Sequence, residues 1–151
     1  MSTKTHIEIA NDCRSLCKLL SNDINRLMIK FPISIQNGLW DVSFHVSDDL
    51  SESMEHFTFD LISYTDRFDP YIEQLSLWMQ AQECASILCA CDQMLLEYKN
   101  FRGKIANYLE LYHSLRSNLQ QNLVSIYHSI RELVVKNEYF NNRIREIFAL
   151  E

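Results

Sequence analysis

The stretch SDDLSESMEHFTFDLISYTDRF, Ser47 to Phe68, has two readings, and the choice separates an all-helical chain from a mixed one. Leu50, Met54, Phe57, Leu61, Tyr64 and Phe68 follow one another at steps of 4, 3, 4, 3 and 4. Those steps trace one face of a helix. Phe57, Phe59 and Leu61 also alternate with Thr58 and Asp60, a strand's spacing, which would let 56–63 complete a meander with 33–46. The helical period persists over 19 residues and the alternation over only about six, so a helix is expected. Ser47 then caps it, with Asp48 and Asp49 at the positive end of the helix dipole.

Toward the N-terminus, Thr5 and Glu8 stand in a capping-box arrangement. Ile9, Cys13, Leu16, Leu20, Ile24, Leu27 and Phe31 then line one helical face, which Pro32 closes. Between the two helices the pattern changes. Ile33 and Ile35 alternate with polar residues, Asn37-Gly38 follows, and Leu39, Val42, Phe44 and Val46 come after it. Asn-Gly between alternating apolar residues predicts a short β-hairpin over 33–46.

Toward the C-terminus, Asp69 as cap, Pro70 in the first turn and Glu73 predict a third helix. Ile72, Leu75, Met79, Cys84, Leu88, Cys91, Leu95 and Tyr98 carry it through the small residues of 81–90. It is apolar around much of its circumference, which places it centrally. Gly103 marks the start of a fourth, where Ile105, Tyr108, Tyr112, Leu115, Leu119, Leu123, Ile126, Ile130 and Leu133 keep the rhythm. A helix over 104–135 would be roughly 48 Å long, enough to overhang one domain, and this suggests a homodimer through it. Its other face holds Asn107, Ser114, Asn118, Gln121, Asn122 and Ser125, polar but uncharged. A short last helix is predicted over 138–149. The expected fold is all-α: one domain, 1–151, an antiparallel bundle of four to five helices with a hairpin excursion at 33–46.

Composition agrees with such a fold. Of 151 residues 47% are hydrophobic, which suffices for one packed core. Glycine and proline number two each, so connections are short. The chain opens Met1-Ser2-Thr3-Lys4-Thr5-His6, with no export leader, and no window of 18 residues is uniformly apolar. The odd count of five cysteines then points to reduced thiols and a cytoplasmic protein without a membrane span, and Cys13 and Cys17, four apart on a helix, are expected to pack in the core.

The net charge of −6 is unevenly spread. Residues 45–97 carry eleven acidic side chains and one basic residue, Arg67. Such a field repels phosphate backbones and attracts basic partners, so no nucleic-acid partner is expected.

Catalytic signatures are sparse. Two isolated glycines cannot build a phosphate-binding loop. Cys89-Ala90-Cys91 points its thiols apart on a helix. Glu110-Leu111-Tyr112-His113 is a single Glu-x-x-His, whereas bundle di-metal sites use two copies and further carboxylates. Phe101-Arg102-Gly103-Lys104-Ile105-Ala106-Asn107-Tyr108 resembles, over eight residues, the motif of the HEPN-domain helical ribonucleases. The resemblance implies a phosphate-holding Arg102, but Asn107 stands where that family has its histidine. Asparagine transfers no proton, so the resemblance implies at most an inactive relative. Trp40 and Trp78 are core residues or interface anchors.

These readings converge on a non-enzymatic protein–protein interaction module without a cofactor: an adaptor, a regulatory inhibitor or a small chaperone. Its partner protein would be basic, and the candidate interaction residues are Asp48, Asp49, Glu52, Glu55, Trp78 and Arg102. The alternatives are a degenerate HEPN-like nuclease relative and a carboxylate/His metal-binding bundle.

Overall fold

The computed structural model describes residues 4–38 and 45–150. Helix α1 spans His6–Met28, α2 is the single turn Ile33–Gln36, α3 spans Asp48–Ala81, α4 Ala85–Leu115 and α5 Leu119–Ile147. The described residues form no strand.

Two of the predicted helix starts, at Thr5 and Ser47, form as the sequence suggests. The Thr5 hydroxyl accepts from the Glu8 amide at 3.2 Å, and the Ser47 hydroxyl accepts from the Leu50 amide at 3.1 Å. Each satisfies an amide that has no partner within its helix. The hairpin does not form in the described part. Ile33–Gln36 coils into α2, and Asn37 and Gly38 close that turn by bonding back to Ile33 and Ile35. Ile35 is thereby buried against the core. The rest of the predicted hairpin, with Trp40, falls on 39–44, outside the described residues.

Pro70 does not begin a helix but lies inside α3. An interior proline costs about 3 kcal/mol. Phe68, Ile72 and Leu75 flank it, all buried, and burial of each contributes about 1.5–3 kcal/mol. Continuity of the helix is what keeps all three in the core. Pro70 itself is exposed, on the side where water can satisfy a freed carbonyl. Asp69 is not a cap, since its carboxylate receives hydrogen bonds from Tyr98 and Arg102 instead.

The break falls later, at Gln82–Cys84, where Glu83 takes the left-handed conformation with φ +52°. The predicted third helix is thus split between the end of α3 and the start of α4. Gly103 is likewise interior, an exposed residue of α4. The single 104–135 rod does not exist. The chain turns through a 3₁₀ segment at Arg116–Asn118, and α5 folds back along α4. The overhang that suggested a homodimer is therefore a hairpin within one chain. The predicted helix 138–149 is the last part of α5. There Ala149, φ +52°, and Leu150 bond back to Glu146 and Arg145 in a Schellman-type end.

Each long helix packs on the next, and α5 closes the ring on α1. The result is a four-helix bundle in which α3 and α5 occupy opposite corners. Phe68, Phe101 and Phe140 meet at its centre with ring centroids 5.6–5.9 Å apart. Among the described residues three buried polar side chains, Thr65, Ser76 and Asn137, interrupt this core, and Asn137 is the deepest of them. Asn137 donates to the Cys17 carbonyl at 3.0 Å, while its own Oδ1 has no partner.

Cys13, Cys17 and Cys91 are buried, and Cys84 and Cys89 are exposed. Leu88 is also outward, 38% exposed, because the split of the third helix resets its facing. No helix among the described residues is long and apolar enough to cross a membrane.

A candidate interaction surface on the outer face of the third helix

With Leu50, Met54, Phe57, Leu61, Tyr64 and Phe68 turned inward, helical geometry dictates what α3 turns outward. Asp48, Glu52, Glu55, Phe59, Ile62 and Asp66 form a continuous outer ridge, extended by Pro70, Glu73 and Leu77. All of these are exposed. Phe59 is 69% exposed, Leu77 61% and Ile62 46%. Single exposed apolar side chains are ordinary on any surface. Phe59 and Ile62 are different in that they sit one turn apart, with Glu55 before them and Asp66 after.

The neighbouring groove between α1 and α3 is, by contrast, satisfied from within. Tyr64 donates to Asp23 at 2.6 Å, Arg26 lies 3.7 Å from the same carboxylate, and Lys30 reaches Asp49 at 3.3 Å and Ser53 at 2.7 Å. Burial, followed by the Asp23 carboxylate, pushes the Tyr64 hydroxyl well above its ordinary pKa.

The structure separates the six sequence-derived candidates. Asp48, Glu52 and Glu55 lie on the outer ridge. Asp49 is turned toward α1 and paired with Lys30. Trp78 is half-buried at the far end of the bundle, stacked on His6 with centroids 3.7 Å apart and planes 14° apart. With Phe148, Ile87 and Ile147 they line an apolar cavity of about 360 Å³. Arg102 grips Asp69 across the α3–α4 seam, so its guanidinium is engaged between helices and is not part of the ridge. Burial, then the Asp69 carboxylate, raises the pKa of Tyr98, which donates to that carboxylate too.

The arrangement around Arg102 lends the nuclease reading no geometry. Its guanidinium is held by a carboxylate, and Asn107, five positions on, projects from another side of α4 and is exposed. Glu110 and His113 are both exposed, and no cluster of three or more metal-ligating side chains is present among the described residues.

Phe59, Ile62 and Leu77 are the surface residues that sequence reasoning passed over. The signal was present in Phe59, an aromatic residue out of phase with the helical stripe. The alternation of Phe57, Phe59 and Leu61 had instead suggested a strand. Comparison with protein-family models, curated proteins and solved structures returns no match for this chain.

Proposed function

We propose that this chain is a protein–protein interaction module whose α3 ridge receives a basic amphipathic helix of a partner. The observation that carries this reading is the contiguous pair Phe59–Ile62, exposed between Glu55 and Asp66. A partner helix with apolar residues at its centre and Lys or Arg at its margins matches that pattern in shape and charge.

Magnitudes suggest a transient complex. Full burial of Phe59, Ile62 and Leu77 would contribute about 1.5–3 kcal/mol each, reduced here because each is already partly covered. Association must also offset lost rigid-body freedom, of order 4–15 kcal/mol. Apolar contact of this extent requires help from charge. The ridge supplies it through Asp48, Glu52, Glu55, Asp66 and Glu73, which raise the encounter rate with a cationic partner. The same carboxylates disfavour nucleic acid.

The test is a fluorescence-anisotropy titration with a labelled Leu/Lys amphipathic helical peptide. The wild type is expected to bind it, and Phe59→Ser/Ile62→Ser to bind about tenfold or more weakly. Equal binding by both proteins would show that the peptide responds to net charge alone and would overturn the reading.

A further inference from the structure

The opposite corner of the bundle presents the complement of the α3 ridge. α5 lies diagonally across from α3, and with α4 it forms an open groove of about 460 Å³. Lys104, His128, Arg131, Glu132, Val135 and Lys136 line it. Lys104 is held by Glu132 at 3.1 Å. Arg131 and Lys136 flank Val135, which is 43% exposed. Tyr139, one turn further on and 55% exposed, lies under the Lys136 ammonium, 5.5 Å from its ring centre.

α5 thus displays an apolar pair one turn apart with cations beside it, and α3 displays an apolar pair one turn apart with carboxylates beside it. The spacing along the helix is nearly the same, i to i+4 for Val135–Tyr139 and i to i+3 for Phe59–Ile62.

We propose that the α3 ridge of one copy docks on the α4–α5 face of a second copy, so that the chain self-associates head to tail. This rests on the reading of the ridge as a docking surface and names one occupant for it. With the two helices antiparallel, Phe59 and Ile62 meet Tyr139 and Val135, and Asp66, one turn beyond Ile62, faces Arg131, one turn before Val135. A two-fold, ridge-to-ridge dimer would oppose carboxylates to carboxylates. The two complementary faces look away from each other on one molecule, so the contact is heterologous and leaves a free face at each end of the assembly. The net charge of −6 opposes approach at long range, but at about 0.15 M salt charges separated by more than about 8 Å are screened and the local contacts decide.

Sedimentation velocity at about 0.15 M salt tests this. For the wild type the weight-average sedimentation coefficient should rise with concentration. Phe59→Ser/Ile62→Ser and Val135→Ser/Tyr139→Ser, all at exposed positions, should each remain monomeric. An equimolar mixture of the two variants should form a one-to-one dimer and nothing larger, because one intact ridge and one intact groove remain. A wild type that stays monomeric, a mixture that stays monomeric, or a variant that assembles like the wild type would overturn the proposal. Peptide titration of Val135→Ser/Tyr139→Ser separates the two readings. Peptide binding there with a monomeric wild type removes self-association alone, whereas loss of peptide binding in both proteins removes the ridge as well.

Discussion

Arg102 holds Asp69 with both prongs of its guanidinium, Nε at 3.1 Å from Oδ1 and Nη2 at 3.0 Å from Oδ2. The pair ties α4 to α3 beside Pro70, the one place where α3 lacks a backbone donor. Its side chains are 38% and 45% exposed, so water screens the attraction. Arg102→Ala should cost about 1 kcal/mol of unfolding free energy. Arg102→Lys should not restore it, because a point charge cannot replace a two-pronged fork. Urea denaturation of the three proteins measures this, and a lysine variant as stable as the wild type would contradict it.

Two substitutions of opposite sense test the backbone. Gly103 sits in the middle of α4 with nothing within 4 Å of where a Cβ would be. Gly103→Ala should stabilise by about 1 kcal/mol. Glu83 carries φ +52° between α3 and α4. Glu83→Gly should stabilise by up to about 1 kcal/mol, relief of left-handed strain exceeding the added entropy of the unfolded chain. Thermal midpoints of both variants check these signs.

Those two residues also explain why the connections were hard to read. Glycine and proline usually punctuate a sequence, but Pro70 and Gly103 both lie inside helices, on exposed positions where neither disturbs the core. Pro32 and Gly38 do mark the connection from α1 to α3, but the turns on either side of α4 use Gln82-Glu83-Cys84 and Arg116-Ser117-Asn118, which carry no such mark. At the second turn the apolar rhythm never falters, since Leu115 and Leu119 on either side both pack against the same core. A hairpin of two inward-facing helices then looks like one long rod. The all-α class, the N-cap at Ser47 and the inward face of α3 were legible because periodicity and capping agreed there. Of the ridge, Asp48, Glu52 and Glu55 were legible from charge. Phe59 and Ile62 became legible only once α3 had a fixed inside.

Alkaline pH should unfold the protein. Burial raises the pKa of Tyr64, Tyr98 and Tyr108 above the ordinary value of 10.0. For Tyr64 and Tyr98 an adjacent carboxylate adds to the effect. Above pH 10 the unfolded chain releases these protons while the folded chain retains them, so stability present below pH 10 is lost as pH rises beyond it. Tyr108 is fully buried, and Tyr108→Phe should flatten that decline. Equilibrium unfolding between about pH 8 and 11.5 gives the slope, and parallel slopes for wild type and variant would refute Tyr108's part in it.

The thiols should divide by environment. Cys84 and Cys89 are exposed, and Cys13, Cys17 and Cys91 are buried. Hydrogen bonds from the Ser86 hydroxyl and the Ile87 amide lower the pKa of Cys84, so it should react with a disulfide reagent before Cys89. A hydrogen bond with the neighbouring Cys17 thiol, followed by burial, raises the pKa of Cys13. Two equivalents should react in the native protein and five after denaturation. Fast reaction of a third thiol in the native state would contradict the packing described.

The central claim is that the outer face of α3 is where a partner lands. Backbone amide chemical shifts, followed during titration of the isotope-labelled protein with the Leu/Lys peptide, test it most directly. At a protein concentration low enough to keep the chain monomeric, the largest changes should fall on Glu52, Glu55, Phe59, Ile62 and Asp66, with α5 left unperturbed. Changes centred on Val135 and Tyr139, on the His6–Trp78 cavity, or spread evenly over the acidic residues would contradict it.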